Sequence, residues 1–274
     1  MVSKIIKQVL LYALAVLLLI FTGVPFLAMV NSSFKDQLEF MQSPWSLPDA
    51  ITLENYAYLL ETDFITYFGN SVFVVTISVI ITIFLSAMAA YPLARLNFKL
   101  NTPIFVLFLV GMMIPIHTTL VPIFQLTVGM GLYDTLWALI GPYVAFALPV
   151  SIVIFRQFLR ELPKELEESA QIDGCGHFML FWKILFPLLT PAIATITIYN
   201  FIIMWNEFIF ALVLTNSPGN ATLPLGLRDF QGDFSVNVPG MMAALTLASV
   251  PLLLIYFFAQ EKIVKGIAAG SVKG

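Results

Sequence analysis

Cysteine is almost missing from this chain: Cys175 stands alone, so no internal disulfide can form and no thiolate-rich metal site can be assembled. Histidine is nearly as scarce, and His117 and His177 lie too far apart in sequence to form a recognisable metal motif. Charge is the third shortage. Only 11% of the 274 residues are Asp, Glu, Lys or Arg, against roughly 25% in an ordinary soluble domain. No run of Lys and Arg resembles a nucleic-acid surface. No glycine-rich phosphate loop ending in Gly-Lys-Ser or Gly-Lys-Thr occurs, so the chain carries no such nucleotide site of its own. What is abundant is apolar: 59% of residues are hydrophobic and the mean hydropathy is +0.93. A soluble fold of that composition could not cover its surface, whereas one facing lipid has no need to.

A helix needs about 20 largely apolar residues to cross the hydrocarbon core. Six segments approach that length: 9–30, 67–90, 102–126, 135–157, 185–212 and 238–260. They predict an all-α integral membrane protein with six transmembrane helices, organised as a single transmembrane domain over 1–274. The first segment, preceded by Lys4 and Lys7, is longer than the apolar part of a signal peptide and is expected to be retained. The third and fourth, joined by Val128-Gly129-Met130-Gly131-Leu132-Tyr133-Asp134, are expected to form an antiparallel hairpin. Pro115, Pro122, Pro142 and Pro149 each remove a backbone donor and are expected to kink any helix that continues through them.

Basic residues orient the spans. With the N terminus inside, only Lys35 and Arg228 of the 13 Lys and Arg fall outside, which favours both termini in the cytoplasm. The first outside loop, about 31–66, holds Asp36, Glu39, Asp49, Glu54, Glu61 and Asp63 against one lysine. The longest inside loop, 158–184, contains a short helix that Pro163 can open and Gly174 and Gly176 can end. Spacings of four and three place Leu166, Ala170 and Asp173 near one face. Glu161, Glu165 and Glu168 fall at spacings where like charges meet, a repulsion of a few tenths of a kcal/mol per pair. A basic partner surface would offset it; so, in part, would Arg160 and Lys164.

Here the sequence resembles the inner-membrane permease subunits of bacterial ABC importers. Their cytoplasmic signature runs Glu-Ala-Ala, three residues, Gly, nine residues, then Ile-x-Leu-Pro. This chain has Glu168-Ser169-Ala170, Gly174 and Ile184-Leu185-Phe186-Pro187, with Ser169 and Phe186 departing from the pattern. The run Trp205-Asn206-Glu207-Phe208 and the tail over 259–274 are similar to the smaller permease subunit of carbohydrate importers of the maltose type. The resemblance implies an ABC importer type I transmembrane domain in a bacterial cytoplasmic membrane, with the tail 259–274 cytoplasmic. It implies a short helix docking in a cleft of a cytoplasmic ATPase, with Glu168, Ser169, Ala170, Asp173 and Gly174 as the contact positions. The implied partners are a second homologous permease, two ATPase subunits or domains that bind ATP and Mg, and an extracellular or periplasmic sugar-binding protein. The cargo would be a sugar or oligosaccharide. No cofactor, metal or catalytic residue is expected on this chain, and no nucleic acid.

The fifth segment carries the polar residues that membrane interiors rarely hold. Counted along one straight helix from Pro187, Asn200 lies about 20 Å in and Glu207 about 30 Å in. Asn200, with Tyr199, Trp205 and Asn206, is a candidate for the substrate path, since sugars need hydrogen-bonding groups beside an aromatic platform. Equally, Asn200 can bond a neighbouring helix while the aromatics fill the bundle. Glu207 is a candidate gate or structural contact. An ion-coupled secondary transporter is the alternative reading, disfavoured by the signature spacing and the few charges in the spans. Asp173 and His177 alone supply no positioned nucleophile, so a membrane enzyme is more distant still.

Overall fold

The computed structural model is helical, with no strand among its described residues, which are 2–230 and 237–271; side chains are described over 4–228 and 237–258. Two compact units divide the chain, residues 1–65 with 226–251 and residues 66–225 with 252–274. In chain order the helices are α1 (Val2–Ser32), α2 (Gln37–Gln42), α3 (Glu54–Glu61), α4 (Phe64–Arg95), α5 (Asn101–Gly111), α6 (Leu120–Gly129) and α7 (Trp137–Glu161). They continue with α8 (Glu165–Ile172), α9 (His177–Leu180), α10 (Phe186–Leu188), α11 (Thr190–Trp205), α12 (Ile209–Leu214), α13 (Leu223–Gly226) and α14 (Val238–Ser271). Of the tail over 259–274, the backbone is helical as far as Ser271, while its side chains and all of 272–274 lie outside the described residues.

Four helices are long and apolar enough to cross a membrane, and two bent pairs raise the number to six. The expected six-span plan is therefore present, but two spans differ from the straight segments read from hydropathy. The third breaks: α5 and the stretch 116–129 meet at 94°. Pro115 has no N–H, and its ring disfavours the helical conformation at Ile114, so the helix is weakened there and, unlike α7 at Pro142 and Pro149, does not continue. A 3-10 turn over Ile116–Thr119 then starts α6, where Pro122 sits in the first turn and costs no hydrogen bond. The fifth span bends by 71° between His177–Leu188 and Thr190–Trp205. Pro191 cannot donate to Pro187, whose freed carbonyl instead accepts the Thr190 hydroxyl at 2.6 Å. Distances counted along a straight helix from Pro187 are thus corrected: the helix carrying Asn200 begins at Thr190.

In the first unit, α1 is exposed along its membrane-crossing window, with none of it buried. The segment after it is cinched by a cation. Lys35 is completely buried, and its Nζ donates to the Ser43 carbonyl at 2.6 Å and Ser46 Oγ at 2.9 Å. Burying an ammonium is tolerable only where protein dipoles replace its water. Asn55 adds two bonds, donating to the carbonyls of Ser33 and Lys35. Asp36 caps α2 by accepting the Glu39 N–H at 2.7 Å.

The second unit packs around a core that includes Ala87, Ala90, Ile152, Phe155, Leu159, Leu185, Leu189 and Ile196. On α4, Ser71, Ser78, Thr82 and Ser86 are buried at seven- and four-residue spacing, a face of small side chains that lets helices approach closely. Two helices end in the same way. Gly131 after α6 and Gly174 after α8 take positive φ, 69° and 79°. In each, two backbone bonds recapture the last carbonyls, Leu132 to Thr127 with Gly131 to Val128, and Cys175 to Ala170 with Gly174 to Gln171. Asp134, also at positive φ (57°), accepts the Asn216 and Ser217 N–H groups and the Ser217 hydroxyl. The Ser217 hydroxyl, then those two N–H groups, hold its carboxyl well below the usual carboxylate range.

Candidate functional site

The loop 158–184 places its residues in three orientations. Glu165, Glu168, Ser169, Asp173 and Gly174 are exposed, together with Ile172 at 86% exposure. Ala170 is the one buried residue of α8 and belongs to the chain's own core. The expected face of Leu166, Ala170 and Asp173 is therefore split: Ala170 turns inward and the other two stay in solvent. The third orientation went unread in the sequence. Glu167 points back to the end of α4, where its Oε1 lies 2.6 Å from Arg95 Nε, with the two side chains 14% and 4% exposed. Their N–H and carboxylate are not aligned as a hydrogen bond, so the contact is an ion pair. Arg95 also donates through Nη2 to the Leu162 carbonyl at 2.7 Å. Next along, Tyr91 Oη and His177 Nδ1 are 3.1 Å apart.

The signal for that pair was present but not decisive. Arg95 and Glu167 are far apart in sequence, and on an isolated helix Glu167 looks like one more solvated acid. Only the return of the loop to the end of α4 distinguishes it from Glu165 and Glu168.

The polar residues of the fifth span do not form one group. Asn200, 2% exposed, donates through Nδ2 to Ser151 Oγ of α7 at 3.0 Å, which is the helix-to-helix bond that an amide in this position requires. Trp205 is 3% exposed, stacked on Phe201 at 5.3 Å and edge-on to Phe68 at 5.6 Å. Asn206 is exposed and donates back to the Ile202 carbonyl at 2.7 Å, closing α11. Tyr199, 42% exposed, and Asn200 border a cleft of about 80 Å³ that Tyr143, Phe146, Ile203 and Glu207 also line; Trp205 and Asn206 are not part of it.

Glu207 is held in the gap between α11 and α12. It accepts the Tyr143 hydroxyl at 2.8 Å, the Phe210 N–H at 2.8 Å and the Ala211 N–H at 3.4 Å. The carboxylate thus satisfies the first donors of α12, as an N-terminal cap does, and ties the broken span to α7. Among the described residues no group of three His, Cys, Asp or Glu converges to hold a metal.

A family model described as the inner membrane component of binding-protein-dependent transport systems matches residues 82–269. The chain is 51% identical over 252 residues to the putative ABC transporter permease protein ORF2 of Caldicellulosiruptor sp. (strain Rt8B.4), covering 92% of each. It is 34% identical to the arabinooligosaccharides transport system permease protein AraQ of Halalkalibacterium halodurans, covering 91% of each. Among solved structures it is similar in fold to a chain of a bacterial ABC transporter involved in the import of the acidic polysaccharide alginate. That match has a TM-score of 0.82 at 22% identity and covers 96% of both chains.

Proposed function

The chain belongs to the family of inner membrane components of binding-protein-dependent transport systems, and from that premise we propose that it is one of two permease subunits of an ATP-driven carbohydrate importer. It contributes half of the translocation path and meets a cytoplasmic ATPase through the loop 158–184. The observation that carries the reading is the form of α8: an eight-residue helix between two spans whose Glu165, Glu168, Ser169, Ile172 and Asp173 all face solvent. An exposed acidic and apolar strip on so short a helix suits a basic, grooved partner, with Glu168 supplying a charge-assisted contact. Its matching positions in the family signature support the assignment.

The cleft supports a shared path. At about 80 Å³ it is well below the roughly 300–1,000 Å³ of ligand pockets, so a second permease would complete any sugar site. The carbohydrate class rests on relatives such as the arabinooligosaccharide permease together with the Trp205-Asn206-Glu207-Phe208 run. Both termini are assigned to the cytoplasm from the distribution of basic residues.

The test is purification of the native complex in mild detergent with identification of every copurifying subunit and any retained small molecule. Recovery of an ATPase pair and a second permease is the expected result, with Glu168→Ala lowering ATPase recovery at least several-fold. A chain that purifies alone and transports in vesicles without ATPase subunits overturns the proposal.

A further inference from the structure

α8 buries little of itself against the rest of the chain. Ala170 is its one buried residue, and an alanine side chain offers little apolar surface to hold a helix against a core. A second link, from α8 to a membrane-crossing helix, is the pair formed by Glu167 and Arg95, at 2.6 Å and nearly out of solvent. Arg95 is the last residue of α4, and its second bond, to the Leu162 carbonyl, fixes the chain just before α8. The same end of α4 gathers other elements: Arg156 of α7 donates to the Leu93 carbonyl at 3.1 Å, and Asn101 of α5 donates to the Leu96 carbonyl at 2.9 Å. These carbonyls lie at a helix C-terminus, where donors and positive charge are favoured.

We propose that Arg95 and Glu167 form a strut that passes displacement of α8 directly into α4, making them positioning residues for the transport cycle rather than partner-contact residues. This rests on the reading of 158–184 as the loop that meets the ATPase. The strut is stiff in the sense that matters: both ends are carried on helices, the pair is shielded from water, and Arg95 is held from a second side by Leu162. Glu165 and Glu168, exposed on the same helix, remain available to the partner. Push and anchor are thus divided between adjacent residues of one turn.

The experiment uses the intact importer in lipid vesicles in a Cys175→Ser background, with Mg-ATP and vanadate to trap the ATPase. One spin-label pair, at Ile172 and Leu100, reads α8 against the turn between α4 and α5. A second, at Met88 and Leu126, reads α4 against α6. With the native strut, trapping shifts the second distance and leaves the first narrow. In Arg95→Gln and in Glu167→Gln the first distance broadens and the second loses its shift. The charge swap Arg95→Glu with Glu167→Arg restores the shift, which a merely structural loss would not. A full shift of the second pair in Arg95→Gln overturns the strut. If the single variants do not assemble, the swap decides alone, because a swapped complex that forms but shows no shift also overturns it. If neither pair responds with the native residues and a cysteine at position 168 fails to cross-link to the ATPase, the reading of the loop falls first, and the strut with it.

Discussion

Glu207 is an acidic side chain in an apolar stretch, and it accepts hydrogen bonds from one hydroxyl and two backbone N–H groups. Glu207→Ala leaves the Tyr143 hydroxyl, on a residue only 5% exposed, and the first donors of α12 without an acceptor. The expected cost is about 2–5 kcal/mol. Glu207→Gln keeps one carbonyl oxygen and should cost about 1 kcal/mol. Thermal unfolding of the detergent-purified complex reads both, and equal losses in the two variants would show that charge rather than acceptor geometry matters. The residue type and its place near a helix end were legible in Trp205-Asn206-Glu207-Phe208. Its partners were not, because Tyr143 lies on another span. Arg95 and Glu167 were hidden for the same reason, and so was Asp134, since aspartate visits the left-handed region only occasionally and its type alone does not mark the position.

At the scale of elements, the end of α8 is set by one backbone position. Gly174 at φ 79° lets Cys175 N–H reach the Ala170 carbonyl at 2.9 Å, and Cys175 then packs against the core that Ala170 joins. Gly174→Ala forces a Cβ into the left-handed region and should cost about 1–2 kcal/mol, with Gly174→Asn costing less because Asn tolerates that region. Melting of the purified complex checks the order. A stop at Gly174 was readable from the sequence; Gly176, the other candidate, instead precedes α9 in an extended conformation. The breaks in the third and fifth spans were only half readable. Hydropathy sums composition over a window, and Met112-Met113-Ile114-Pro115 is as apolar as a continuous helix. Proline marks where a helix is weakened, while the angle it takes depends on neighbours that accept the freed groups.

For the whole molecule, six spans followed from the supply of apolar residues, since a helix long enough to cross satisfies its own backbone in lipid. Their sidedness is a separate matter that charge alone addresses. Single cysteines at Asp36 and at Asp173, in the Cys175→Ser background, should react oppositely with a membrane-impermeant thiol reagent in right-side-out vesicles: the first labelled, the second protected until the membrane is opened. The reverse pattern would invert the assigned topology. Packing between spans was the least legible layer, because lipid and protein interior favour the same residues and hydropathy cannot tell one face from the other.

The unequal burial of those spans has a consequence for synthesis. The window in α1 is 0% buried within the chain, whereas that in α7 is 56% buried, and Ser151 of α7 meets Asn200 only 49 residues later. At about 5–20 residues per second of elongation, α7 waits roughly 2–10 s in the bilayer before its polar partner leaves the ribosome. During that interval its serine and its prolines face lipid or the insertion machinery. The wait is longer still for the second span, where Ser71 of α4 meets the Leu223 N–H 152 residues later, so the spans that pack most inside the chain are the ones left unpartnered during translation.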